Sequence, residues 1–335
     1  MQLILVLPGL LEWRADGTPA AHAPALAHLL AMAGPPARED GGTAAALAAR
    51  YGVIRQTDWP LAPIRLAALG VDPEAGYWLA ADPVTLSVGR VDVQLAGVVD
   101  DLAPTDADAI VATLNAHFAD DGLVFAAPRP DAFFVRVPTA IRLATHPPGA
   151  ALGRSLRALL PQGPDADAWR RWHSEIEMLL HEHPVNVARE RAGRPLANSL
   201  WFSGGGILPP PPSPAPLIRT YATAGIAAAL ARFARSPLQP LPSQLRDASR
   251  DAGSADSIVV ALDRPLDVPA IERAWAAPAR AAVAAGSLHA VTLLCDDGGD
   301  AIVWRAGRPG LWQRLAGSFA RHDLPALLDV TDRGR

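Results

Sequence analysis

Several features that define common classes of protein are scarce or missing in this chain. Cys295 is the only cysteine among the 335 residues, which excludes an intramolecular disulfide and suits a reducing cytoplasm. Basic residues form no long run and the formal net charge is −4, so binding to nucleic acid or a membrane surface through basic charge is disfavoured. No apolar stretch is long enough to cross a bilayer. These features predict a soluble, cytoplasmic protein with neither a nucleic-acid partner nor a membrane partner.

The amino-terminal sequence MQLILVLPGLL is apolar but does not fit a signal peptide. No positively charged segment precedes the apolar residues, and Pro8-Gly9 interrupts them early. A buried strand over residues 2–7, followed by a turn, is the better interpretation.

Hydrophobic residues make up 50% of the chain and charged residues 19%, so a sizeable core is expected. Strand and helix patterns alternate near both ends, whereas the middle is rich in patterns typical of antiparallel strands. This distribution predicts an α/β fold in which an inserted α+β cap interrupts one domain. The predicted boundaries are residues 1–77 and 216–335 for the discontinuous core and residues 78–215 for the cap.

The passage 181–206, HEHPVNVARERAGRPLANSLWFSGGG, follows a helix predicted over residues 165–181 and is interpreted as rich in loops. Buried amides and guanidinium groups must find hydrogen-bond partners, and an anionic ligand would supply them. The alternative is a solvated strip of surface arginines. If the passage forms an anion pocket, its ligand-binding residues are Asn186, Arg189, Arg191, Arg194, Asn198, Ser199, Gly204, Gly205 and Gly206.

Other polar residues admit a structural explanation beside a chemical one. His181 and His183 form H-x-H, which either ligates a metal or caps the carboxyl end of the preceding helix. The sequence Asp296-Asp297-Gly-Gly-Asp300 is a cation site or an ordinary acidic turn. No G-x-S-x-G or H-E-x-x-H motif occurs, and the sequence predicts neither a metal site nor a cofactor.

Prolines mark further expected turns and connectors. Asp72-Pro73 and Asp82-Pro83 both favour the start of a turn. The proline-dense segment 208–216 favours a stiff connector, with docking on an aromatic groove as the alternative. A polar linker is expected over residues 242–256.

Four stretches together resemble cofactor-independent phosphoglycerate mutases of the archaeal type, within the alkaline-phosphatase-like superfamily. They are LVLPGLL with the GTP and APALAHLL that follow it, LGVDP at 69–73, AADPV at 80–84, and HPVN to ANSLWFSGGG at 183–206. The resemblance implies an alkaline-phosphatase-like three-layer core with an inserted cap. It also implies a mechanism in which two metal ions activate a serine that carries the phosphoryl group.

The chain departs from that family where the chemistry needs specific side chains. The resemblance places Gly9 at a metal-binding Asp, Ala67 at the serine nucleophile and Arg65 at a neighbouring Asn; it places 295–298 where an Asp-His pair is expected. Alanine has no nucleophilic atom, and removing a covalent nucleophile costs on the order of a millionfold in a serine protease.

We therefore expect a catalytically inactive phosphoglycerate mutase-like protein, similar to the branch named RpfE-type regulatory proteins. It would bind an anionic metabolite, phosphorylated or carboxylated, or a protein partner. The alternative is a metal-dependent phosphotransferase or phosphoglycerate mutase whose metal ligands are rearranged among His181, His183, Asp296 and Asp297.

Overall fold

The computed structural model describes residues 1–12, 23–89, 92–151, 159–251, 253, 255–262, 266–307 and 324–328. These residues form a mixed α/β structure that divides into two units. The first unit comprises Met1–Leu47 and Pro212–Arg335, and the second comprises Ala48–Pro211. In the described part of the chain, no helix combines the length and the apolarity that crossing a membrane requires.

Both units contain strands as well as helices. The strands are β1 (Gln2–Val6), β2 (Ala37–Asp40), β3 (Tyr77–Val88), β4 (Val93–Val98), β5 (Val124–Arg129), β6 (Ala132–Val137), β7 (Ser199–Ile207), β8 (Ile218–Tyr221), β9 (Leu238–Gln239), β10 (Ser257–Ala261), β11 (Ala290–Asp297) and β12 (Asp300–Gly307). The helices are α1 (Pro24–Ala33), α2 (Gly42–Arg50), α3 (Leu61–Ala68), α4 (Pro104–His117), α5 (Pro148–Ala151), α6 (Ala166–His181), α7 (Pro184–Arg191), α8 (Gly225–Phe233), α9 (Leu245–Arg250), α10 (Val268–Ile271), α11 (Ala277–Ala285) and α12 (Leu324–Leu327), with a π-helical segment, Glu272–Ala276, between α10 and α11.

The first unit is built on a seven-stranded sheet in the order β2-β12-β11-β1-β10-β8-β9. The strands from β11 to β9 are parallel, and β12 is antiparallel to both of its neighbours. The central strand β1 is almost entirely apolar because both faces of a parallel strand are buried. The predicted strand at residues 2–7 is therefore confirmed.

Helix α1 begins against a buried carboxylate from the π-helical segment. The two oxygens of Glu272 accept hydrogen bonds from the backbone N–H groups of Ala25 (2.8 Å) and Leu26 (2.9 Å). These N–H groups have no partner inside the helix, and a negative charge at a helix amino terminus is favourable.

The second unit contains a five-stranded antiparallel sheet with β3 at its centre. Along one edge β3 pairs with β7; along the other it pairs first with β6 and then with β4. Alternate side chains of β3 enter different clusters. Leu79 packs with residues of α4 and α6, whereas Trp78 and Ala80 pack with Ala62 and Leu66 of α3.

The structure confirms most predicted elements and corrects several boundaries. The prediction that Asp82-Pro83 starts a turn is wrong, because both residues lie inside β3. There Arg65 donates a hydrogen bond to the Asp82 carboxylate, and the Pro83 carbonyl accepts a hydrogen bond from Val99 N–H. The expected loop-rich passage contains α7 and β7, and the expected linker at 242–256 contains α9. By contrast, Asp72 does form the predicted turn, since its Oδ1 accepts from Glu74 N–H at 2.9 Å.

The two units do not follow the predicted boundary between core and cap. Segment 48–77, expected with the core, groups with the second unit because α3 packs on β3 and β7. The division into an alkaline-phosphatase-like core and a cap stays a prediction. The GTP of the resemblance lies outside the described residues.

Candidate functional site

Two predicted anion-binding arginines converge on a carboxylate of the protein itself. Arg189 is buried, with its Nε donating to Pro195 O at 2.6 Å and its Nη2 donating to Asp101 Oδ1. Arg194 Nη2 donates to Asp101 Oδ2 at 2.6 Å. The hydrogen bond from Arg189, with further support from Arg194, holds the pKa of Asp101 below its usual range. Asp101 therefore supplies the negative charge that an external ligand was expected to bring.

The three arginines of the predicted pocket differ in their access to solvent. Arg189 is 3% exposed, whereas the Arg194 side chain is 47% exposed and Arg191, the last residue of α7, is exposed. The Nη1 of Arg189 is buried without a hydrogen-bond partner among the described residues. Of this set, Arg191 and Arg194 are therefore the arginines that solvent reaches, and an anion at Arg194 would share that side chain with Asp101. Their role in ligand binding stays a prediction.

The two predicted asparagines bind backbone groups. Asn186 Nδ2 donates to Leu180 O (2.7 Å) and Ala197 O (3.0 Å), and its Oδ1 accepts from Ala197 N–H (2.9 Å). Asn198 forms a reciprocal pair with Leu86, accepting from its N–H at 2.7 Å and donating to its carbonyl at 2.9 Å. Asn186 thus connects the end of α6 to the residues that precede β7. The hydrogen bonds of Asn198 to Leu86 extend the pairing of β7 with β3 by one more residue pair.

Gly204 and Gly206 of β7 allow a close approach to the segment at the start of α3, and Gly205 between them allows a close approach of Tyr77. A Cβ atom on Gly206 would lie 2.5 Å from Pro60 Cβ, and one on Gly204, whose φ is +67°, would lie 3.0 Å from Leu61 Cβ. The N–H of Gly204 donates to Thr145 Oγ1 at 2.9 Å. Close packing therefore explains these glycines, and the Gly204 N–H is already used within the protein.

A buried carboxylate that the sequence did not single out lies beside this glycine strand. Asp58 Oδ1 accepts from Trp59 N–H at 2.8 Å, and its Oδ2 accepts from both the N–H and the hydroxyl of Thr145. Burial raises the pKa of Asp58, and these hydrogen bonds oppose the shift. Burial also raises the pKa of Tyr77, whose hydroxyl has no partner among the described residues.

Ser199 forms a compact polar cluster with two residues of α6. Its Oγ lies 3.1 Å from His173 Nε2 and 3.4 Å from Glu177 Oε1, and that carboxylate oxygen is also 3.3 Å from His173 Nδ1. Burial lowers the pKa of His173 and favours the neutral ring. Although the residue types match those of a nucleophilic triad, Glu177 contacts the serine as well as the histidine, and Ser199 is fully buried. The cluster therefore lacks the linear order that a triad uses.

The same two residues of α6 line a cavity of about 340 Å³. His173 and Glu177 were not among the predicted site residues, although their i, i+4 spacing places them on one face of the predicted helix. Apart from them, the cavity is bordered by Asp92, Val93, Leu160, Pro161, Ala166, Trp169, Arg170, Ser174 and Phe202.

The two histidines of the H-x-H sequence do not act together. His183 Nδ1 accepts from Val185 N–H at 3.3 Å and so caps the amino end of α7, and its Nε2 lies 3.0 Å from Thr113 Oγ1. Burial lowers the pKa of His183, which suits an accepting ring nitrogen. The expected cap at the carboxyl end of α6 is thus wrong for His183, because Pro184 begins a new helix. His181 is the last residue of α6 and is exposed.

Asp296 and Asp297 end β11 and Asp300 begins β12, so these acidic residues flank the two glycines of the turn, which agrees with the second of the two interpretations of this sequence. Asp296 Oδ1 accepts from Thr43 N–H at 2.6 Å, and Asp297 pairs with Arg38 at 2.7 Å. Across the described ranges, no group of three or more His, Cys, Asp or Glu residues is arranged to hold a metal ion.

Helix α3 carries the positions at which the sequence places the mutase nucleophile and its neighbour. Ala67 lies in the last turn, and no residue from Leu61 to Ala68 has a hydroxyl or thiol group. Arg65 pairs with Asp82 through two hydrogen bonds of 3.0 and 3.1 Å and lies 5.4 Å from the Phe134 ring centre. Helix α3 therefore presents a structural ion pair and no nucleophile.

Comparisons with known proteins find a limited similarity in sequence and two structures with a low TM-score. No family model matches the chain. A 2,3-bisphosphoglycerate-independent phosphoglycerate mutase of Methanosarcina barkeri is 25% identical over 154 residues, which are 44% of this chain and 37% of that enzyme. The chain thus matches little more than a third of that enzyme's length. This similarity supports a phosphoglycerate mutase-like relation.

Two solved structures are similar over nearly the whole chain at 15% sequence identity. The cofactor-independent phosphoglycerate mutase of Thermoplasma acidophilum gives a TM-score of 0.42 and covers 98% of each chain. The PH0037 protein of Pyrococcus horikoshii gives a TM-score of 0.46, with coverage of 100% of this chain and 98% of that one.

Proposed function

We propose that this protein is a phosphoglycerate mutase-like protein without mutase catalysis, of the RpfE-type regulatory branch. It acts in the cytoplasm by binding an anionic metabolite or a protein partner. The observation that carries this proposal is helix α3, in which no side chain can accept a phosphoryl group and Arg65 is bound by Asp82. In this proposal residues 1–77 and 216–335 form the alkaline-phosphatase-like core, and residues 78–215 form the cap.

The absence of a nucleophile from α3 does not depend on the register of the resemblance. A shift of the alignment that stays within α3 still places the nucleophile on an alanine, leucine, proline, isoleucine or arginine. None of these side chains forms a phosphoester in the way that serine does. Arg65 also does not supply a free cation, since its guanidinium contacts both oxygens of a buried carboxylate.

The test is a mutase assay combined with a measurement of bound metal. The full chain is loaded with Mn²⁺ or Zn²⁺ and desalted, its metal content is measured by mass spectrometry, and conversion of 3-phosphoglycerate to 2-phosphoglycerate is followed. We expect no conversion above the protein-free control. Conversion that depends on one or two tightly bound ions would contradict the proposal and favour the alternative enzyme with rearranged ligands.

Binding of an anion is tested separately at the exposed arginines of the predicted pocket. We expect 3-phosphoglycerate to raise the melting temperature of the protein, and the shift to be lost in the double variant Arg191→Ala, Arg194→Ala. The matched control is Arg246→Ala, which removes an exposed arginine of α9 in the first unit. An equal shift in the double variant and the control would exclude these arginines as the anion site.

A further inference from the structure

The cavity beside α6 has the size and lining of a small-molecule site. Its volume of about 340 Å³ falls within the range of ligand pockets. Trp169 and Phe202 provide aromatic lining, with ring centres 4.5 Å apart, and Leu160 and Pro161 add apolar surface. A ligand that fills this space therefore has a substantial apolar body.

The charged groups that the described residues bring to the cavity favour a cation. Glu177 and Asp92 contribute carboxylates, whereas Arg170, the arginine among the described lining residues, is paired with Asp167. His173, the histidine of the lining, is buried in an environment that favours its neutral form.

The cavity continues into a more open groove of about 700 Å³. The cavity and the groove share Val93, Ser174 and Glu177, so Glu177 stands at their junction. The groove provides access from solvent, and it adds the carboxylate of Glu182 and the exposed side chain of Met178.

We propose that the cavity beside α6 binds a small organic amine, whose ammonium group meets Glu177 and whose apolar body packs against Trp169 and Phe202. This site goes beyond the proposed function, because it selects a positively charged ligand and uses none of the arginines of α7. Its failure would leave the anion proposal untouched.

Ser199 and His173 act as positioning residues for Glu177. The Ser199 hydroxyl is within 3.4 Å of Glu177 Oε1, and His173 Nδ1 is within 3.3 Å of the same atom. These two contacts restrict the carboxylate to one side of the cavity. Removal of the Ser199 hydroxyl is therefore expected to weaken the binding of an amine more than the binding of a neutral molecule of the same shape.

The experiment compares three probes of nearly equal shape and different charge on the full chain. Phenethylamine is cationic, 2-phenylethanol is neutral and 3-phenylpropionate is anionic at pH 7.5, and binding is measured by titration calorimetry. We expect phenethylamine to bind about tenfold more tightly than 2-phenylethanol, since a hydrogen bond to a charged group contributes about 1.5 kcal/mol or more. We expect 3-phenylpropionate to bind most weakly.

Three variants locate the effect. Glu177→Gln is expected to weaken phenethylamine binding about tenfold and to leave 2-phenylethanol unchanged, because the amide keeps the shape and loses the charge. Ser199→Ala is expected to give a smaller loss that is also specific to the amine. Glu190→Gln, which changes an exposed residue of α7, is the matched control and should behave as wild type.

The proposal is overturned if the three probes bind equally, or if Glu177→Gln and Glu190→Gln have the same effect on binding. It is also overturned if no probe binds at about 10 mM, because that concentration fills a site of millimolar Kd. A circular dichroism spectrum of each variant identifies a loss of fold. If Glu177→Gln does not fold, the order of affinities among the three probes on the wild-type protein decides the question alone.

Discussion

The two units of this protein bury charge to very different extents. Among the described Asp, Glu, Lys, Arg and His side chains of the first unit, Glu272 is the one that is buried, and its carboxylate accepts hydrogen bonds at the start of α1. The second unit buries four side chains of these types: Asp58, Asp82, His183 and Arg189.

This difference follows from the two kinds of sheet. The parallel strands of the first unit are covered on both faces by apolar residues, so packing alone fixes their arrangement. In the second unit, Asp82, Asp58 and Arg189 each connect segments distant in sequence by directed hydrogen bonds. Such groups are costly to bury and costly to leave unpaired, which makes the second unit the more sensitive one to loss of a single polar partner.

The largest expected effect comes from removing Arg65, because Asp82 then remains buried without its partner. Arg65→Leu is expected to destabilise the second unit by about 3 kcal/mol, at the low end for a buried pair because the arginine is partly exposed. Hydrogen exchange measured on peptides of each unit separates this loss from any change in the first unit.

The double variant Arg65→Leu, Asp82→Leu provides the control for that experiment. It should recover most of the stability, since neither charge is then left unpaired. A single variant as stable as wild type would remove the main distinction between the two units.

A smaller loss is expected when Asp101 no longer holds Arg189. Asp101→Asn should destabilise the second unit by about 2 kcal/mol, a value reduced from that of a fully buried pair because the Asp101 side chain is 42% exposed. Urea unfolding measures the change, with Asp108→Asn on the exposed surface of α4 as control. Equal stability of both variants would mean that Arg189 finds other acceptors.

A packing test uses the glycine strand. Gly206→Ala places a Cβ atom 2.5 Å from Pro60 Cβ and is expected to cost about 1.5 kcal/mol through displacement of that segment. Gly97→Ala in the same sheet meets no atom within 4 Å and should change stability by less than about 0.5 kcal/mol. If both variants unfold at the same urea concentration, close approach does not explain the glycines.

The smallest effect concerns pH. The pKa of His173 is lower in the folded protein than in the unfolded chain, so the unfolded chain binds more protons near pH 6.5. Stability contributed by this histidine is complete above that pH and is lost as the pH falls, by no more than about 1.4 kcal/mol per pH unit. His173→Gln should flatten the decline between pH 7.5 and 5.5, and an unchanged profile would contradict this.

Local sequence patterns were sufficient to predict the elements in which apolar residues recur at a regular spacing. Trp169, Ile176 and Leu180 recur along one face of α6, and their burial confirms the helix. The edge strand β2 has the sequence ARED, in which no apolar alternation is present, so its pairing with β12 was not predictable. Asp82-Pro83 looked like a turn because the arginine that stabilises it as a strand lies 17 residues earlier.

Partners that are distant in sequence also explain why the contacts of the candidate site residues were not predicted. The polar passage 181–206 was identified, but its partners were not, because Asp101 and Leu86 lie far from it in sequence. Ser199 was selected without His173 and Glu177, since the packing of α6 on β7 brings them together. Residue types indicated where hydrogen bonds would be needed, and only the tertiary structure identified the groups that form them.

The division of the chain has a consequence for the order in which the protein folds on the ribosome. The second unit is one continuous segment, whereas the first unit needs strands from both sides of it. Strand β1 pairs with β10 and β11, which are synthesised only after residue 256. The second unit can therefore complete its sheet first, at a stage when the strands that pair with the apolar β1 have not yet been synthesised. If synthesis is stopped near residue 211, we expect chaperones to bind the amino-terminal residues of the nascent chain.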